Sequence, residues 1–193
     1  MEKHFLEQIF TTKDFQPQDI PLLISKFTRV TYEKHDFLLK EGQRANYYWF
    51  LESGFARSFV HDTHGSDITT SFYGAGEIMI EWSSFFMRKP TRENIQALSD
   101  CVCWQLDFDT FQELFHSIEA FREEGRSRLV NSYFSLKNER VSFIADEARE
   151  RYLRLIKEKP QLLQNVSLKH IATYLGITKY SLSRIRKEIV KVA

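Results

Sequence analysis

The residues with the most to offer chemically lie near the C-terminus, in the run from Ser167 to Ile189. Leu168, Ile171, Ala172 and Leu175 recur at the spacing of one helix face, and Leu182, Ile185 and Ile189 do so on a second helix. Ser167 can cap the first helix. Gly176 supplies the permissive backbone of a helix end, Ile177 plugs the corner, and Thr178 caps the second helix. The face opposite the second apolar stripe carries Lys179, Tyr180, Ser183, Arg184 and Lys187. A cationic, hydrogen-bonding face on a rod of this width fits the major groove of a DNA duplex, so the expected chemistry is base and phosphate recognition. Arg184 is the candidate for bidentate contact to guanine, Lys179 and Tyr180 for base or phosphate near the helix start, and Ser183 for a small polar contact. Ser167, Lys169, Arg186 and Lys187 are expected nearer phosphates, where they set register without reading sequence.

Two other groups invite a chemical reading. His61, Asp62, His64 and Asp67 offer metal-ligand types, as in cupin-like barrels, but they cluster in an apparent hairpin turn, and the His61-x-x-His64 spacing separates the two rings. Cys101 and Cys103 share one face of an apolar strand, a poor geometry for a disulfide, and two thiolates fall short of a closed zinc site. Packed or partly exposed thiols are expected. Nucleophile elbow, phosphate-cradling glycine loop and metalloprotease helix are all missing from the sequence, so neither catalysis nor a cofactor or metal is expected.

These residues need elements to hold them. Of 193 residues, 27 are basic and 26 acidic, but from Arg140 onward twelve Lys/Arg face five Asp/Glu, a net of +7 that leaves −6 for residues 1 to 139. The C-terminal quarter is therefore the part a polyanion attracts. No apolar run reaches the roughly 20 residues of a membrane span, and the reading is of a cytoplasmic protein with no membrane partner. The first 26 residues suggest a short helix or two. From Phe27 to Leu106 short apolar runs alternate with Gly/Asp/Ser turns, giving strands at Val30 to His35, Asp36 to Leu39, Tyr47 to Leu51, Phe55 to His61, Asp67 to Tyr73, Ile95 to Leu98 and Cys101 to Leu106. The stretch from Ile78 to Arg92 does not alternate and is expected to be helical at Glu81 to Met87. Phe108, Phe111, Leu114 and Phe115 mark a short helix. An apolar seam from Ile118 to Ala145 marks a long one that would bury itself against a second copy of the chain. The expected fold is α+β in three parts: N-terminal helices and an antiparallel β-roll over 1–115, a dimerisation helix over 116–145, and a helix-turn-helix over 146–193. Any wing between Lys157 and Ser167 would be rudimentary.

With these residues in view, the chain resembles the cyclic-AMP receptor/fumarate-nitrate regulator (Crp/Fnr) superfamily of transcription regulators, and more closely its Bacteroidetes-like branch. The resemblance rests on Ile171-Ala172, Leu175-Gly176-Ile177-Thr178 and Leu182-Ser183-Arg184-Ile185-Arg186. It rests also on Leu39-Lys40-Glu41-Gly42, Tyr48-Trp49-Phe50-Leu51-Glu52-Ser53-Gly54, Gly76-Glu77-Ile78 and Ala97-Leu98-Ser99-Asp100-Cys101. It implies a cyclic-nucleotide-binding-like jelly roll, a long dimerising helix and a C-terminal (winged) helix-turn-helix. It further implies a homodimer on double-stranded DNA, with RNA polymerase and an unknown small effector as further candidate partners. In nucleotide-binding members a Gly-Glu pair holds the ribose side, which Gly76 and Glu77 match, and an arginine neutralises the phosphate. Here that position falls at Thr91, and Arg92, one residue out of phase, would point to the opposite face of an extended segment; Glu93 stands where a small residue is wanted. An effector pocket at Gly76, Glu77 and Arg92 is thus expected to suit something other than cyclic AMP. Trp82, Phe85 and Phe86 would otherwise fill it. The competing reading is a protein-interaction scaffold whose helical end binds no DNA.

Overall fold

A computed structural model of the chain describes residues 4–11 and 14–192. Two short helices, α1 (Phe5–Ile9) and α2 (Asp19–Lys26), precede a roll of strands β1 (Thr28–Tyr32), β2 (Phe37–Leu39), β3 (Tyr47–Ser53), β4 (Ala56–His61), β5 (Asp67–Tyr73), β6 (Ile78–Met79), β7 (Asn94–Ala97) and β8 (Cys101–Asp107), with helix α3 (Trp82–Met87) inserted after β6. One sheet runs β1-β8-β3-β6 and the other β2-β7-β4-β5, every neighbouring pair antiparallel. Apolar residues of both sheets supply the core, and Trp49, Phe50, Leu51, Ile95 and Leu106 are almost wholly buried in it. Cys101 and Cys103 are buried on β8, both free, and burial pushes the Cys103 thiol up to about 12.

Two strands differ from the sequence expectation. β1 ends at Tyr32 rather than His35, because the Asp36 carboxylate accepts the Glu33 N–H at 2.9 Å and His35 takes a left-handed φ of 80°, which turns the chain. The two-residue β6 lies in the stretch expected to lack strands; it pairs Met79 with Trp49 and Ile78 with Phe50, too short a run to show alternation. The α3 expectation holds, with the Glu81 carboxylate accepting the backbone N–H groups of Ser83 and Ser84 at the helix start. Gly54, in the β3–β4 turn, has φ of 100°, and a Cβ there would stand 2.4 Å from the Asp100 carbonyl oxygen, so the turn requires glycine.

Helix α4 (Phe108–Ser117) packs back on the roll, and the chain breaks at Ile118 into the 27-residue α5 (Glu119–Ala145). After a turn at Asp146 come α6 (Ala148–Glu158), the four-residue α7 (Leu162–Asn165), α8 (Leu168–Tyr174) and α9 (Lys179–Val192). Among the described residues no strand follows β8, and α7 occupies the place considered for a wing. Among those residues, too, no helix is long and apolar enough to cross a membrane.

There are two hydrophobic cores. The larger joins the roll interior to α1, α2, α4 and the first turn of α5. The smaller unites Tyr152, Leu155, Leu162, Ile171, Ala172, Leu175, Leu182 and Ile185 with Phe72 and Leu98 of the roll. The C-terminal helices are therefore docked on the β-roll rather than suspended from α5.

Candidate nucleic-acid interface

Leu182 and Ile185 anchor α9 in the smaller core with Ile171, Ala172 and Leu175 of α8, and Ile189 is half-buried beside them. Both expected caps are formed: Ser167 Oγ accepts the His170 N–H at 3.3 Å, and Thr178 Oγ1 accepts the Ser181 N–H at 3.1 Å. Gly176 turns the corner with φ of 69°. A Cβ there would lie 2.8 Å from the Phe143 ring of α5, so the corner is also where the long helix touches the helix-turn-helix. Arg151 reinforces that junction by donating to the carbonyls of Asp146 and Leu175 while lying over the Phe143 ring.

With its inner face fixed, α9 has a determined outer face. Tyr180, Ser183, Arg184 and Lys187 fall at i, i+3, i+4 and i+7 and form one stripe opposite the apolar anchors; Lys179 and Arg186 form a second, flanking stripe. Tyr180 is 79% exposed and the Arg184 side chain 69%; Lys179, Arg186 and Lys187 are exposed and Ser183 half-buried. Arg184 Nε lies 3.8 Å from Glu188 Oε1, a loose exposed pair that holds the guanidinium along the helix without covering it. Ser167 and Lys169 are exposed at the start of α8, although the Ser167 hydroxyl is committed to its cap. All eight sequence-derived residues thus lie on α8 and α9, and most of them on one outer surface.

The effector-pocket residues are not brought together. Gly76 sits in the β5–β6 turn with φ of 86°, its N–H donating to the Leu51 carbonyl. Glu77 faces the C-terminal helices: its Oε1 accepts from Lys159 Nζ at 2.7 Å and its Oε2 from the Gly74 N–H at 2.7 Å. Thr91 is buried and Arg92 exposed, as the alternation argument required. Glu93 lies near the Glu81 carboxylate. Burial, and then the Glu81 charge, raise the Glu93 pKa above the usual range. Trp82 stacks on Phe86, and Phe85 is fully buried. His61 is engaged by Glu41 at 3.0 Å and by Asp67 at 3.7 Å, and among the described residues no group of His, Cys, Asp and Glu could hold a metal ion.

Sequence reasoning missed the contacts that dock α8 on the roll. Thr173 Oγ1 accepts the Thr69 N–H at 3.2 Å and lies 3.2 Å from Thr69 Oγ1, Tyr174 meets the Phe72 ring, and Lys159 Nζ reaches the Phe72 carbonyl at 2.9 Å as well as Glu77. Beneath them Arg57, 3% exposed, pairs with Asp67 at 2.7 Å and lies over the Phe59 ring. These partners are far apart in sequence, and no local periodicity could have joined them.

An antiparallel roll, a long helix and a docked helix-turn-helix together make a fold that this chain shares with solved structures. Residues 29–117 match the family model described as the cyclic nucleotide-binding domain. The whole chain is similar to FixK2 from Bradyrhizobium japonicum at 17% identity and a TM-score of 0.74, over 86% of this chain and 85% of that one. It is similar also to the c-di-GMP-responsive global regulator CLP of Xanthomonas campestris, at 14% identity and a TM-score of 0.72, over 91% and 92% of the two chains. The Thermus thermophilus catabolite activator protein matches at 19% identity and a TM-score of 0.58, over 95% and 86%. At these identities the likeness is one of fold. No curated protein sequence matches the chain significantly.

Proposed function

We propose that the protein is a homodimeric, sequence-specific double-stranded DNA-binding transcription regulator of the cytoplasm. The observation that carries this reading is the outer face of α9, where Tyr180, Arg184 and Lys187 stand exposed, with the half-buried Ser183, in one stripe opposite Leu182 and Ile185. A scaffold helix would keep the apolar anchors yet have no use for a cationic stripe aligned against them. Two of the solved structures of this fold are named as a global regulator and a catabolite activator, which supports the same class.

Dimerisation follows from α5. Val130, Phe134, Val141 and Ile144 recur at spacings of four, seven and three on one side of that helix, and are 42%, 55%, 55% and 78% exposed in the single chain. So large an apolar seam on a helix between two domains is best buried against its own copy about a two-fold axis. In the resulting dimer the two α9 helices would enter successive major grooves, roughly 34 Å apart. Arg184 would read guanine, while Lys179, Tyr180 and Ser183 serve bases or phosphates at the helix start. Lys169, Arg186, Lys187 and the backbone about Ser167 hold phosphates. RNA polymerase would be the further partner of the DNA-bound form.

An effector, where one acts, is not cyclic AMP: the cation position is the buried Thr91, and a phosphate there would face the carboxylates Glu81 and Glu93. Selection of bound sequences from random duplex DNA by the purified protein tests the proposal. Enrichment of a two-fold symmetric motif is expected. Failure to enrich any motif would shift the reading to a scaffold.

A further inference from the structure

Where α3, α4 and the first turns of α5 meet the outer side of β3, the structure has a cavity of about 310 Å³ walled by Phe50, Trp82, Phe86 and Phe111. It is separate from the Gly76–Glu77 turn and from the interface on α9. An apolar cavity of about 150 Å³ already admits a single benzene ring, and small-molecule sites begin at roughly 300 Å³, so this one has room for a two-ring body.

Three features set it apart from a packing defect. Tyr48 lines the cavity and is 3% exposed, its ring held edge-on by Phe27, Phe50, Phe85 and Phe111, which leaves its hydroxyl as a polar group within an aromatic wall. A tyrosine hydroxyl so placed offers a hydrogen bond to whatever occupies the space beside it. Arg128 lines the same cavity. Its guanidinium is held by Glu124 at 2.6 Å and by the Ile9 carbonyl at 3.3 Å and lies over Phe50, while its Nε is buried without a partner. The Arg128 charge is also the influence that opposes the burial-driven rise of the Tyr48 pKa, so hydroxyl and guanidinium are electrostatic neighbours. Finally, Gly125 lines the cavity from inside α5, although glycine is the poorest helix former after proline. A Cβ at Gly125 would meet nothing nearer than the Phe115 ring at 3.7 Å, an ordinary contact. Packing does not demand glycine there; what its missing side chain leaves is open space.

We propose that this cavity binds a small molecule with a two-ring-sized apolar body and one hydrogen-bond-accepting group, a carbonyl or carboxylate, placed against the Tyr48 hydroxyl and Arg128. The aromatic walls take the body by area burial and ring contact. Tyr48 donates to the acceptor group of the bound molecule. The site abuts α5, so occupancy could reach the C-terminal helices, a consequence that rests on the regulator reading; binding itself does not.

Calorimetric titration of the full-length protein with 2-acetylnaphthalene, 2-naphthoate and the acceptor-free 2-ethylnaphthalene tests this. At least one of the first two is expected to bind once per chain; which one tells a neutral from an anionic head. Tyr48→Phe keeps the ring and should weaken that ligand about fivefold, the worth of one hydrogen bond, while leaving 2-ethylnaphthalene unchanged. Gly125→Leu fills the space and should abolish binding in a protein whose thermal melt stays cooperative. Should Gly125→Leu fail to fold, the Tyr48→Phe comparison decides alone. Absence of binding by both acceptor probes at millimolar concentration, unaltered binding to folded Gly125→Leu, or equal loss of all probes in Tyr48→Phe would overturn the proposal. A failed duplex selection would leave a positive result here intact.

Discussion

Arg184 and Lys187 sit one turn apart on the same exposed stripe of α9, yet their expected roles differ in kind. A planar guanidinium can match two acceptors on guanine at once, whereas an ammonium acts as a point charge toward phosphate. Arg184→Ala is therefore expected to cost roughly 1–3 kcal/mol per half-site and to relax specificity at one base position. Lys187→Ala should weaken specific and random duplexes alike and shallow the salt dependence by about one unit of slope. Binding isotherms on operator and random duplex at several salt concentrations separate the two, and equal effects of both changes on every DNA would contradict the assignment. Glu188, 3.8 Å from Arg184, keeps the guanidinium lying along the helix until a base edge displaces it.

At the scale of elements, the junction between α8 and β5 carries the most telling group. His170 is half-buried on α8 with its Nδ1 unpartnered, and its pKa falls to about 4, first through burial and then through the positive charge of Arg57; Lys169 and His35 add to the fall and Asp67 opposes it. The folded form thus holds a neutral ring where the unfolded chain protonates near pH 6.5. Between about pH 6.5 and 4 the unfolded state binds the extra proton, so the docking of α8 on the roll weakens as pH falls through that window and is unaffected above it. Thermal melts across this range should show the loss, and His170→Asn should flatten it. A variant with an unchanged pH profile would place the sensitivity elsewhere. The same junction ties Lys159 to Glu77, the residue that matches the ribose side of the family's pocket.

For the whole molecule, the central quantity is the apolar seam that a lone chain leaves in water. Phe134→Glu, which introduces a charge at a position 55% exposed in the single chain, should leave the fold intact but turn the dimer into a monomer in sedimentation. DNA affinity should then drop steeply, because two half-sites would no longer be bound as one unit. A Phe134→Glu protein that still sediments as a dimer would remove α5 as the interface. The docked arrangement of the C-terminal helices gives this molecule two routes between roll and interface, one along α5 through Phe143 and Gly176 and one directly from β5 to α8.

Local pattern alone determined the helix-turn-helix, because its anchors, caps and corner glycine all lie within one short run and each follows from helix geometry. It determined most of the strands for the same reason, with alternation failing only where β6 is too short to alternate and where Asp36 and His35 turn the chain early. Tertiary structure decided which way Glu77 faces, the docking of α8 on β5 and the cavity beside Tyr48. Each of these depends on groups brought together from opposite ends of the chain, and a side chain's partner across such a distance is fixed by how whole elements pack rather than by the residues beside it.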